Sequence, residues 1–343
     1  MGNLEIAEFG RRHVSRAAAL FCAQFARLRR AVPDLPDHYA DPEGVIPLIS
    51  KLYDRAPGVA ALEDGTLVGY LIGVNVPAFK SPHAGIYCPE WAHGASRRNR
   101  GQVYREMYGA IAEGWVHDGG IMHCMTHLAN DTEAIQAFGM LGFGTMTVDA
   151  ILGTLAKSPR APVGIEIAPI RPDGVEGIMP LSLGLEDHLR MSPSFMHVLE
   201  HRESDYYRAF LSGKGKSIWV ASYRNRPISY IKCEPSIGGN ACQVVRDPGV
   251  IAITGAYTEP SFRNRGVATA ILQRLLEQAR REGYSGCSVD FESANPVASD
   301  FWLRYFRPVC FSMMRYIDER IGATGDVVSQ ASGADAEAQR NCC

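Results

Sequence analysis

The 343-residue sequence has almost no charge excess, with 37 acidic against 35 basic side chains and a formal net charge of −2. No general field therefore draws it to nucleic acid or to an anionic membrane, and neither partner is expected. Its nine cysteines include no CxxC pair and no regular spacing, which argues against a zinc knuckle and a disulfide framework and fits reduced thiols. No apolar run approaches the length of a membrane-spanning helix. The opening MGNLEIAEFG lacks a basic segment followed by an apolar one, and Ile6 breaks the myristoylation pattern. A cytoplasmic protein is expected. Cys342-Cys343 reads either as a lipidation site or as two thiols ending a frayed tail. His123 and His127 lie four apart and share one side of an expected strand. No third ligand stands at a suitable spacing, so no metal is expected.

What the chain does have is the stretch Val250 to Glu282, VIAITGAYTEPSFRNRGVATAILQRLLEQARRE. An apolar strand runs through a short polar bend into an amphipathic helix with apolar residues at Val267, Ile271, Leu275 and at Ala268, Leu272, Leu276. The bend, Arg263-Asn264-Arg265-Gly266-Val267-Ala268, falls where the first N–H groups of the helix are unpaired. With two arginines beside it and small residues at Gly266 and Ala268, that helix start suits a pyrophosphate. Walker and Rossmann loops fail on glycine count, and the Lys-Ser/Thr pair of the Walker loop is missing.

On these residues the sequence resembles the GNAT superfamily of acyl-CoA-dependent N-acyltransferases, whose loop reads Gln/Arg-x-x-Gly-x-Gly/Ala. Arg263, Gly266 and Ala268 fill its three places.

The chain also repeats itself. Arg-Asn-Arg-Gly occurs at 98 and at 263, an offset of 165, and Asn130 and Asn295, each after a strand-like run, keep the same offset. An α/β fold of two tandem GNAT domains is expected, each a mixed, mostly antiparallel sheet flanked by helices. The boundaries are 1–156 for the first copy, 157–163 for a Pro-rich linker, 164–320 for the second copy, and 321–343 for a disordered tail. In the first copy Val103 stands where the loop wants Gly or Ala, and its β-branched side chain is expected to crowd the anion-binding N–H groups. The first copy is therefore read as degenerate.

The resemblance implies a site in the second copy. Ala256, Tyr257 and Thr258 would offer backbone groups to the pantetheine arm and thioester. Arg263, Asn264, Arg265, Gly266, Val267, Ala268 and Thr269 would hold the pyrophosphate. Asn295 matches an asparagine that lies beside the pantetheine in many relatives, and Trp302 either packs on CoA or belongs to the core. Attack of an amine on a thioester needs a base for the ammonium and an acid for the leaving thiolate. Glu292, with Asp290 two residues back on the same face, is the first candidate for the base, and Glu259 the second. Many relatives carry a tyrosine acid just after the apolar residues of the last helix, but here Phe301 is followed by Trp302. Tyr305, one turn on, is left as the substitute acid or as a core residue.

The expected activity is acetyl transfer from acetyl-CoA, as co-substrate, to a primary amine of a small molecule. Its acceptor would sit between the domains or under Met191, Phe195, Met196, Tyr206 and Tyr207. A non-catalytic acyl-CoA-binding protein, or transfer of another acyl group, remains as the alternative.

Overall fold

The computed structural model describes residues 4–153, 162–197, 202–237 and 242–321. The expected linker falls largely outside these residues, as does the expected tail apart from Ile321.

The first half runs β1 (Leu4–Glu8), α1 (Val14–Ala31), α2 (Pro42–Tyr53), β2 (Gly58–Glu63), β3 (Thr66–Ile72), β4 (Val74–Val76), β5 (Gly85–Cys88), β6 (His93–Ala95), α3 (Arg100–His117), β7 (Met122–Leu128), α4 (Thr132–Met140) and β8 (Gly144–Gly153). The second runs β9 (Ile165–Pro169), α5 (Met179–Arg190), α6 (Ser204–Leu211), β10 (Ser217–Tyr223), β11 (Arg226–Pro235), β12 (Val250–Thr258), α7 (Val267–Arg281), β13 (Gly286–Glu292), α8 (Pro296–Trp302) and β14 (Arg307–Tyr316). The order of elements repeats apart from β4 and β5, which have no counterpart among the described residues of the second half.

Local chemistry sets most of these boundaries. The β2–β3 hairpin turns on Asp64 and Gly65 and the β10–β11 hairpin on Arg224 and Asn225, all four at positive φ, as a two-residue turn matching the strand twist demands. Helix α2 occupies what the sequence presents as a polar loop. Asp41 caps it by accepting the Glu43 N–H, and Pro42 occupies its first turn. Its interior Pro47 hides it from a pattern-based reading.

The register of the repeat is 164, not 165. Strand β13 begins and ends 164 residues after β7, and the side-chain caps Asp131 of α4 and Asn295 of α8 keep that spacing. The two Arg-Asn-Arg-Gly motifs are thus one residue out of step. Helix α3 starts directly after the left-handed Asn99, whereas α7 starts three residues after the left-handed Asn264.

The two halves share a sheet. A four-stranded sheet in the order β1-β2-β3-β6 belongs to the first half alone, and a ten-stranded one runs β4-β5-β7-β14-β8-β13-β12-β11-β10-β9. The last strand of each half has crossed over. β8 pairs antiparallel with β13, β14 pairs antiparallel with β7, and the two crossed strands pair with each other. A cut in sequence near residue 160 therefore does not separate the halves in space. One apolar cluster centres on the first half and reaches Val309, Cys310 and Met313 of β14. A second lies between the sheet of the second half and the apolar face of α7, and takes in Val148 and Ala150 of β8.

Candidate functional site

Strands β12 and β13 run parallel, but their pairing spans only Val250↔Gly286 to Ile253↔Val289. Thr254 has no partner in the β11 register, where Lys232 faces Gly255 and Cys233 faces Ile253, so a bulge falls at the point where pairing stops. Bulges bend a strand and increase its twist. Beyond it, Ala256, Tyr257 and Thr258 stay hydrogen-bonded to β11 while their other edge is free of β13.

A cavity of 440 Å³ occupies this gap. Ala256, Tyr257, Thr258, Arg263, Asn264, Gly266, Val267, Ala268, Thr269, Asn295 and Trp302 all line it. Arg265 does not; its guanidinium lies over the Phe262 ring, 5.7 Å from the centroid. Arg263 donates from Nε to the Thr258 carbonyl at 3.0 Å, which ties the loop back to the strand end.

Helix α7 begins without a cap. Gly266, at φ +76°, is its N-cap, no side chain accepts from its first turn, and no acidic residue lies there. Both following helices of this type are capped instead by Asp131 and Asn295. The start of α7 thus presents the partial positive charge and open N–H groups of an anion site, flanked by Arg263. No group of three or more His, Cys, Asp or Glu side chains able to hold a metal exists among the described residues.

His188, which the sequence did not single out, lines the same cavity, with Nε2 3.2 Å from the Asn295 Oδ1 that caps α8. It lies one turn beyond Leu185 on the inner face of α5, and that spacing was the only sequence signal for it. Gly184 lets the Tyr257 ring lie against α5, since a Cβ there would come within 2.8 Å of it.

The expected acid and base are placed differently. Tyr305 does not line the cavity; its hydroxyl is 2.9 Å from Thr269 Oγ1 in the first turn of α7. Trp302 is buried in the core cluster as well as lining the cavity. Glu259 is held by Arg226, with one bond of 2.8 Å. Glu292 lies in a second cavity, of 780 Å³, between the two halves, where it is paired to Lys80 of the first half at 3.3 Å. Met196 lines this second cavity, Met191, Phe195 and Tyr206 are exposed, and Tyr207 is in the core.

The corresponding position in the first half is closed, for a reason other than the one expected. Val103 points into the core, where a Cβ on Gly69 of β3 would meet its Cγ1 at 2.6 Å. In the register of 164 it is Tyr104 that stands at the place of Ala268. Its phenol is 3.1 Å from His93 Nδ1 and 3.5 Å from Asp131 Oδ2. Arg100 then fills the space between the end of β6 and the start of α4. Buried at 3% exposure, it donates from Nε to Asp131 at 2.7 Å and also bonds the Ala95 carbonyl. His123 bonds Tyr108 and the Gly120 carbonyl, and His127 is buried without a partner among the described residues. Burial holds both imidazoles neutral, pushing His123 down to about 4 and His127 well down too.

With this geometry in view, residues 186–306 match the family described as Acetyltransferase (GNAT) family. Over those residues, about a third of the chain, the sequence is similar to GNAT acetyltransferases. That span runs from within α5 through α8 and so contains the splayed strands, the uncapped helix and all of the cavity lining except Leu185. Among solved structures, a GCN5-related N-acetyltransferase from Sphaerobacter thermophilus is similar at 14% identity, with a TM-score of 0.54 over 91% of this chain and 95% of that one. At that identity the likeness is one of fold, and it takes in both halves. A tandem GNAT protein from the clavulanic acid biosynthesis pathway aligns at 14% identity and a TM-score of 0.44, over 92% of this chain and 98% of that one. No curated protein matches the sequence.

Proposed function

We propose that the protein is an acyl-CoA-dependent N-acyltransferase, with the acyl-CoA site in the second half and acetyl-CoA as the donor. The observation that carries this reading is the uncapped, acid-free start of α7 opening on a cavity at the place where β12 and β13 part. The N–H groups of Val267, Ala268 and Thr269, with the Arg263 guanidinium nearby, would hold the pyrophosphate. The free edge of Ala256 to Thr258 would bond the pantetheine arm, and an N–H there would polarise the thioester carbonyl. The bound donor supplies an activated acyl group, so the chain's part is to orient it and manage protons. The Tyr305 hydroxyl, fixed on Thr269, stands beside the pyrophosphate loop; this favours a role in ordering that loop over proton delivery to the thiolate.

The experiment is release of free thiol from acetyl-CoA in the presence of small primary amines. Thiol is expected only when both substrates are present, with acetylated amine formed in equal amount. Tight acetyl-CoA binding without thiol release from any amine would contradict the enzymatic reading and leave an acyl-CoA-binding protein.

A further inference from the structure

We infer that Asp290, coupled to Asp149, is the general base of the reaction, and that the acceptor is a cationic primary amine bound in the cavity between the two halves. The inference rests on the acyltransferase reading above and goes beyond it by naming the base, the acceptor class and the contribution of the first half.

Position is the first argument. Val289 is the last residue of β13 paired with β12, so Asp290 is the first one past the point of parting. Val289 and Phe291 belong to the cluster under α7, so by strand alternation Asp290 faces the other side of the sheet. There it lines the 780 Å³ cavity. An acyl group entering between the strands from the α7 side therefore emerges beside its carboxylate.

The second argument is its partner. In the antiparallel β13–β8 register Asp290 lies directly opposite Asp149, which lines the same cavity. Side chains so placed are close neighbours, and two carboxylates there resist ionising together. Burial and then Asp290 push Asp149 up to about 7; Asp290 is open to the cavity, and desolvation by the surrounding walls and then Glu292 push it up. Both carboxyls are thus shifted toward the protonated form, Asp149 partly by Asp290 itself. Asp149 sits on the crossed strand β8, so the first half supplies part of the site.

Basic side chains line the cavity too, Lys51 on α2, Arg55 just after it and Arg246 after Cys242, and none of them is ion-paired to Asp149 or Asp290 among the described residues. Glu292 on β13 is engaged by Lys80, and Glu90 accepts the Val244 N–H at 3.2 Å. Lys232 on β11 donates to the Tyr206 hydroxyl at 3.1 Å and lies 4.3 Å from the Phe210 ring centroid. Asp149 accepts the Cys242 N–H at 3.3 Å, and neither it nor Asp290 is ion-paired among the described residues.

The step balances. The acceptor R–NH₃⁺ passes one proton to the ionised carboxylate of the pair and becomes R–NH₂. Its nitrogen lone pair forms the C–N bond at the thioester carbonyl, the C–S bond breaks with its electrons on sulfur, and the second nitrogen proton goes to the thiolate. The carboxyl then returns its proton to solvent.

The test compares wild type with Asp290→Asn and Asp149→Asn in thiol release from acetyl-CoA. The amines are 1,4-diaminobutane and glucosamine as cations, and glycine as a zwitterion. Wild type is expected to acetylate a cationic amine in preference to glycine, with kcat/KM rising with pH through a limb above the usual carboxylate range. Asp290→Asn is expected to lower kcat by about a hundredfold or more and to remove that limb, with the Kd for acetyl-CoA unchanged. Asp149→Asn is expected to move the limb to lower pH, because the remaining carboxylate loses its like-charged neighbour. Wild-type rate and pH profile in Asp290→Asn, loss of acetyl-CoA binding in that variant, or a preference for glycine would each overturn the inference. Absence of thiol release by wild type with every amine would overturn the acyltransferase reading itself, and the inference with it.

Discussion

Placing glutamate at Ala268 is expected to weaken acetyl-CoA binding about a hundredfold or more without unfolding the protein. Ala268 lies in the first turn of α7 and lines the cavity. Its substitution adds a carboxylate where the account places a pyrophosphate. Two unit charges about 4 Å apart at an effective dielectric of 20 repel by about 4 kcal/mol, and two-thirds of that is about a hundredfold in Kd. Gly266→Glu is expected to do the same with an added fold cost, because Gly266 sits at φ +76°, a conformation costing a side-chain-bearing residue about 1–2 kcal/mol. Comparing the two by calorimetry separates repulsion from strain. Unchanged affinity in Ala268→Glu would move the anion site away from α7.

The second large effect is expected in the first half. Arg100 and Asp131 are both about 4% exposed at the side chain and form a buried ion pair. Arg100→Ala leaves the aspartate charge uncompensated and is expected to cost about 3–5 kcal/mol of stability in urea denaturation. The double variant Arg100→Met with Asp131→Leu removes both charges and is expected to recover most of that loss. The affinity of Arg100→Ala for acetyl-CoA, measured under conditions where it stays folded, is expected to match wild type, since the pair closes the first half and not the cavity that binds. A large gain of a second acetyl-CoA site in the double variant would instead show that the pair is a removable plug.

These two sites show what sequence reading reaches and where it stops. The strand, bend and helix of Val250 to Glu282 were legible because their determinants are local: a left-handed glycine, an uncapped helix start and an apolar face repeating every three to four residues. Nearly all the cavity-lining residues expected there are brought together, Arg265 being the exception. At the corresponding loop of the first half the sequence pointed to Val103, whereas the structure puts Tyr104 at that place. Helix α3 starts right after its left-handed asparagine, which slides Tyr104 into the place of Ala268 and turns Val103 into the core. That slip is a backbone property, and two matching tetrapeptides conceal it.

Non-local pairing was the larger obstacle. Nothing in the sequence of β8 or β14 says which half's sheet it joins. Only the exchange sets Asp149 against Asp290 and assembles the interdomain cavity. The sequence pointed to Glu292, with Asp290 as its neighbour; Glu292 is paired with Lys80, and the crossed strand sets Asp149 opposite Asp290.

The central claim is that one half binds acetyl-CoA and the other has lost the means to. Calorimetric titration of acetyl-CoA into the wild-type chain tests it most directly through the stoichiometry. One molecule bound per chain is the result the account predicts; two per chain, or none, would contradict it.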